Sequence, residues 1–142
     1  MIRVVYDTNI VVSGLLNPEG VPALLLNLAT EGFVKLVVSE EILKEYEEVL
    51  MRPKFGLSQR LVKRFLQRLR SRGKVVKAKT TLRVLKDPDD NKFLECALSG
   101  RAQWLATGNI RHFSFREFRG IKVVSPREFW EIYKESLLSS IE

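Results

Sequence analysis

The chain has 142 residues, 45% of them hydrophobic and 29% charged, with a formal net charge of +7. That composition fits one globular domain with a core of its own and excludes both a disordered chain and two full catalytic domains. Uncharged runs such as Thr8–Pro18 are too short to span a membrane, and Arg3 and Asp7 interrupt any apolar leader, so the expectation is a cytoplasmic protein without a membrane segment.

In chain order, Ile2–Tyr6 is a short β-branched run that predicts a buried strand. Pro22–Thr30 reads as a helix ending at Gly32, and Val34–Val38 as the second strand. Ser39 is a suitable N-cap for the helix that follows, which has acids in its first turn and stops at Pro53. Ser58–Arg72 carries an apolar stripe of Leu61, Val62, Phe65, Leu66 and Leu69 and ends at Gly73. Val75–Val76 predicts a short strand, Pro88–Ser99 a helix closed by Gly100, Gln103–Ala106 a strand and Ile121–Val124 the last strand. Ser125–Pro126 opens a terminal helix with Phe129, Ile132, Tyr133 and Leu137 on one face. The alternation predicts an α/β fold, a parallel sheet of about five strands with helices on both faces. No repeat or linker divides the chain, so residues 1–142 are expected to form a single domain.

The charge is uneven. No acid occurs from Val49 to Lys86, a segment that holds 13 of the 24 basic residues; the other 11 face all 17 acids. Such a segment is an electrostatic footprint for a polyanion, nucleic acid first. Neither GxGxxG nor GxxxxGK[ST] is present, so no nucleotide cofactor is expected. One cysteine, Cys96, and one histidine, His112, exclude an internal disulfide, thiolate zinc clusters and multi-His metal sites. Any metal must be held mainly by oxygen, as a hard cation is.

In open parallel sheets, sites lie beyond the carboxyl ends of the strands. Asp7–Thr8–Asn9 and Thr107–Gly108–Asn109 occupy such places. Asp7 is either a turn former or a metal ligand. In Asp87–Pro88–Asp89–Asp90–Asn91, Asp87 suits an N-cap, whereas Asp90 shares a helix face with Phe93, Leu94, Ala97 and Leu98, and a carboxylate facing inward calls for a partner or a cation. On the helix after Ser39, Glu45 and Glu47 flank the apolar stripe on opposite sides, and helix geometry does not choose between them. Acids gathered without bases repel one another and stay ionised together only around a cation. Mg²⁺ or Mn²⁺ suits such oxygen ligands and activates water toward a phosphodiester. Glu95 and Cys96 are expected off the apolar face of their helix, and Trp104 and Trp130 in the core.

Four segments carry a resemblance over nearly the whole chain: VVYDTNIVVSGLL, VSEEILKEYEEVLMRPKF, DPDDNKFLECALSGRAQWLATGN and IKVVSPREFW. Their order and spacing resemble PIN-domain proteins, of the kind found as VapC-like toxins of toxin–antitoxin systems. The resemblance implies a three-layer α/β/α fold and a Mg²⁺- or Mn²⁺-dependent endoribonuclease acting on RNA. It implies catalytic and metal roles for Asp7, Glu45 and Asp90, and thereby selects Glu45 over Glu47. Asn109 stands where the family usually has a fourth acid and would offer a neutral oxygen to the metal, so the site would carry one negative charge fewer. Asn9 and Thr107 would position the acid, the attacking water or the phosphate. Arg60, Lys63, Arg64 and Arg68 are candidate phosphate contacts. A small antitoxin and a homodimer are the implied partners. The competing expectation is a PIN-like RNA- or protein-binding module that has lost catalysis, motivated by Asn109.

Overall fold

The computed structural model describes residues 1–79, 81–85 and 87–141, the side chain of Ile141 excepted. Lys86, at the end of the basic run, lies outside the described residues.

Six strands form one sheet: β1 (Arg3–Tyr6), β2 (Lys35–Val38), β3 (Lys74–Val75), β4 (Trp104–Ala106), β5 (Glu117–Phe118) and β6 (Ile121–Val124). Their order is β3-β2-β1-β4-β6-β5. All neighbours pair in parallel except β5 and β6, which form an antiparallel hairpin at the edge. Six helices complete the fold: α1 (Thr8–Leu16), α2 (Val21–Thr30), α3 (Glu40–Leu50), α4 (Gln59–Arg72), α5 (Asn91–Ser99) and α6 (Pro126–Ile141).

The chain steps from β1 out to β2 and β3 through α1–α4, then returns through α5 to β4 on the other side of β1. Right-handed crossovers in opposite directions place α1–α4 and α5 on opposite faces, giving three layers. The core strands are almost entirely apolar, as strands covered on both faces must be; Val4, Val5, Val37, Val38 and Leu105 are fully buried. β6 pairs with β4 along Trp104–Ala106, so the residues that follow the acidic segments complete the same sheet.

Two elements differ from the sequence expectation, which had five strands. The first is α1: Thr8–Leu16 holds Thr, Val, Ile, Ser and Gly, all weak helix formers, and no helix was expected there. Packing overrides propensity. Ile10 and Val11 are buried, and Gly14 lets Leu26 of α2 approach so closely that a Cβ would meet its Cδ1 at 2.4 Å. The second is β5, a two-residue strand too short to leave a periodic signal. The segment after Pro88 begins as a single 3-10 turn, Pro88–Asp90, and becomes α5 only at Asn91.

Candidate active site

The reversal of strand order falls between β1 and β4, and the chain leaves both strands there in register. Asp7 N–H donates to Ala106 O at 2.9 Å and Thr107 N–H to Val124 O at 2.9 Å, so the sheet ladder continues one residue past each strand. This sets the Asp7 and Thr107 side chains against each other at the carboxyl edge. Thr107 Oγ1 donates to Asp7 Oδ2 at 2.7 Å, and Asn109 N–H donates to Thr107 Oγ1 at 3.0 Å. Asn9, in the first turn of α1, donates from Nδ2 to Asp7 Oδ2 at 3.3 Å and accepts Gly108 N–H on Oδ1 at 3.1 Å. Gly108 suits this clasp, since a Cβ there would sit 3.3 Å from Asn9 Oδ1. Asn9 and Thr107 therefore hold one Asp7 oxygen from two sides.

Asp90 ends the 3-10 turn and sits at the entrance to α5. Its side chain is 13% exposed, and the negative charge of Asp7 reaches it. Asp90 Oδ2 is a buried oxygen without a hydrogen-bond partner; His112 Nδ1 lies 3.5 Å from it. Asp89 is exposed, and Asp87 caps the turn by accepting Asp89 N–H at 3.0 Å.

Glu45, in the middle of α3, reaches the same edge. One carboxylate oxygen accepts the Thr8 hydroxyl and the other lies 2.8 Å from Lys92 Nζ. Glu47, its rival by helix geometry, lines a different groove with Lys63 and Lys44.

Burial pushes the Asp7 carboxyl above the usual carboxylate range, against the opposing hydrogen bond from Thr107 and the amides of Thr8 and Asn9; the charge of Glu45 pushes it further. Burial likewise raises Asp90, and Asp7 and Asp87 add to it, while His112 and Lys92 act the other way. Three acids thus share one edge, and two of them resist ionising there. An orphaned buried carboxylate oxygen that feels the charge of a second carboxylate fits a divalent cation, and Mg²⁺ keeps most of its waters and is satisfied by one or two carboxylates. Among the described residues no three His, Cys, Asp or Glu side chains stand close enough to hold an ion together. The pair Asp7 and Asp90 fits the ion, whereas Glu45 is engaged elsewhere.

The sequence expectation of acids gathered without bases needs correction, because Lys92 stands among them. Lys92 follows two residues after Asp90 in a polar stretch, and its burial was not legible from charge pattern alone. Glu95 is not a bystander on the surface: it is half-buried and its carboxylate accepts Leu82 N–H at 2.7 Å, while Asn91 accepts the amides of Val84 and Leu85. Cys96 is fully buried in the core, and burial pushes its thiol up to about 12. Phe93, Leu94 and Ala97 are buried alongside it, so α5 is covered on a wider arc than one stripe.

Asn109 is exposed at the mouth of the site. Beside Asp90 opens a cleft of about 580 Å³ bordered by Asp87, Pro88, Arg111, His112 and Ser114. The candidate phosphate contacts lie elsewhere. Arg64 and Arg68 line a groove between α4 and the α1–α2 pair with Gly14 and Leu15, at the far end of α1 from Asp7. Arg68 also pairs with Glu31 at 3.4 Å. Lys63 lines the α3–α4 groove, and Arg60 is exposed in the first turn of α4.

A parallel sheet whose β1/β4 switch point gathers Asp7, Asn9, Glu45, Asp90 and Thr107 defines the class of acidic-pocket α/β domains. Residues 3–111 match the PIN domain family, and the chain belongs to it. It is also 32% identical over 146 aligned residues to an uncharacterized protein of Methanocaldococcus jannaschii, covering 94% of this chain and 93% of that one. Membership supports a nuclease, a hydrolase of phosphodiester bonds. Among the described residues no single helix is long and apolar enough to cross a membrane.

Proposed function

We propose that the chain is a Mg²⁺- or Mn²⁺-dependent endoribonuclease. The carrying observation is the buried, unpartnered Asp90 oxygen, on a carboxyl that the charge of Asp7 reaches, near the switch point of the sheet. Asp7 and Asp90 hold the ion, with Asn109 at the mouth as a neutral oxygen donor. When bound, the ion lowers the pKa of a water and stabilises charge on the scissile phosphate. Thr107 and Asn9 keep Asp7 in one orientation. Glu45, anchored by Thr8 and Lys92, orients the attacking water and takes up its proton. Arg111 and His112 flank Asp90 on the cleft side and meet the RNA backbone there.

The test is cleavage of mixed structured and unstructured RNAs with Mg²⁺, Mn²⁺ or EDTA. Wild type is expected to cut only with metal, and D7N and D90N to lose at least about 100-fold while remaining folded by circular dichroism. Equal cutting by all three overturns the reading.

The likeness to VapC-like proteins extends the proposal to the cell: a toxin acting on cellular RNA, neutralised by a small antitoxin that covers the acidic pocket, with homodimers as its own assembly. Growth arrest on expression, abolished by D7N, is the expected result.

A second reading has its own support. Asn109 removes one acid and Lys92 engages Glu45, as suits a binding module without catalysis. RNA binding that falls steeply with salt, without cleavage in any divalent metal, would decide for it.

A further inference from the structure

Lys92 is the only buried basic side chain among the described residues, and it sits inside the acidic pocket. Its ammonium donates to Asp89 O at 2.5 Å and lies 2.8 Å from Glu45 Oε1, with the Phe93 ring 4.9 Å away. Its neighbours on α5, Asn91, Phe93 and Leu94, are all buried, so an apolar residue would fit the same helix face without the desolvation that an ammonium incurs there. A buried lysine at that place acts on the acids around it.

The charges of the pocket point the same way. Asp7, Glu45 and Asp90 bring three negative charges and Lys92 one positive. What remains matches a single divalent ion. Asn109, exposed at the mouth, adds none. Glu45 has one oxygen turned to Lys92 and the other to Thr8, so both already have a partner on this chain.

We infer that Lys92 is a positioning residue that stands in for a second divalent ion: it fixes Glu45 and leaves Asp7 and Asp90 to hold one metal ion, so that this chain is a one-metal nuclease. The inference rests on the metal-dependent reading above. It separates two roles that a second ion would otherwise combine. Asp7 and Asp90 would hold the ion that supplies the Lewis-acid chemistry, and the Lys92 ammonium would hold the base in place.

The experiment is calorimetric titration of Mn²⁺ into the metal-free full chain, wild type against K92M, K92R and N109D, with circular dichroism as the folding control. Wild type and K92R are expected to bind one ion. K92M frees Glu45 and leaves the third negative charge unbalanced, so it is expected to bind a second ion or to bind the first at least about tenfold more tightly. N109D, at an exposed position, raises the negative charge without touching Lys92 and is expected to shift the same way. Two ions on wild type, or one ion of unchanged affinity on K92M, overturns the inference. Should K92M not fold, wild type and N109D decide: two ions on the first, or one of unchanged affinity on the second. A folded wild type that binds no Mn²⁺ at all instead overturns the metal reading of Asp7 and Asp90, a result distinct from the others.

Discussion

The acidic pocket and the basic helix α4 are the two charged regions of the molecule, and they are built in opposite ways. The pocket draws Asp7, Glu45, Asp90 and Thr107 from four elements, and each side chain is held by hydrogen bonds, an ion pair or burial. In α4 the charges come from one continuous segment and project outward, while Val62, Leu66 and Leu69 face the core. Two of them are already matched by acids, Arg68 by Glu31 at the end of α2 and Arg70 by Glu40 of α3. Exposed pairs of this kind contribute little to stability and hold no fixed geometry. Density of charge in the sequence and precision of charge in the fold are therefore different properties. The chemistry belongs to the region with fewer charges and more constraint.

The largest effect short of removing an acid is expected at Thr107. Its hydroxyl donates to Asp7 and accepts the Asn109 amide, and it is completely buried. T107V keeps the shape and deletes both bonds. Loss of such an outer partner is expected to lower cleavage by about 10–100-fold. It is expected to destabilise the chain by about 1–3 kcal/mol, because the buried Asp7 oxygen keeps only Asn9 as a donor and the Asn109 amide loses its acceptor. Chemical denaturation and initial rates on one RNA check both. Unchanged activity would mean that Asp7 needs no clasp and that the pocket is no more constrained than α4.

A sharper contrast comes from pH. Burial raises the carboxyls of Asp7 and Asp90 in the folded chain above their ordinary value of 3.8. An acid with a raised folded pKa binds its proton more readily when folded, so its contribution to stability is present below 3.8 and is lost as pH rises through the folded pKa. Metal-free D90N carries no such carboxyl at that position. Its thermal midpoint is expected to gain on wild type as pH rises above 3.8, then to hold a constant lead once Asp90 is ionised. Neutralising Arg64 should leave that pH profile in place. A constant difference at all pH values would show that Asp90 is not strained by its surroundings. Added Mn²⁺ should shrink the lead, since the ion relieves wild type alone.

Much of this was legible in the sequence, and the gaps have physical causes. Strands β1, β2, β4 and β6 are short apolar runs with no other reading, and Asp7 and Thr107 follow their strands directly. Asp90 was marked by its position three and four residues before Phe93 and Leu94. Choosing Glu45 over Glu47 needed either family likeness or the fold, because both flank the same stripe. Lys92 was hidden for the opposite reason to α1. A lysine beside acids reads as a surface charge, and only the closing of α3 against α5 buries it. In α1 the residues prefer strand or turn, and only docking on α2 makes them a helix. Arg111 and His112 carry a usable signal, since only Ile110 separates them from Thr107–Gly108–Asn109, but loop residues acquire meaning only when Asp90 is brought beside them.

The smallest effects are expected from α4 itself. R60Q, K63Q, R64Q and R68Q together remove four positive charges from α4, of which Arg64 and Arg68 line the groove at the far end of α1 and Lys63 the groove against α3. R111Q removes one charge from the cleft that adjoins Asp90. A direct phosphate contact should lower the salt dependence of binding by about one unit of slope. R111Q is expected to show that change and to raise KM with kcat nearly constant, because the interaction holds substrate and transition state alike. The four-fold variant is expected to alter KM less than R111Q does and to leave kcat as it was, through the general field of the protein and not through contact. Measuring KM for one RNA at several salt concentrations separates the cases. A slope lowered by about four in the α4 variant would place the RNA along that helix, and the dense charge of the middle segment would then be a binding surface in its own right.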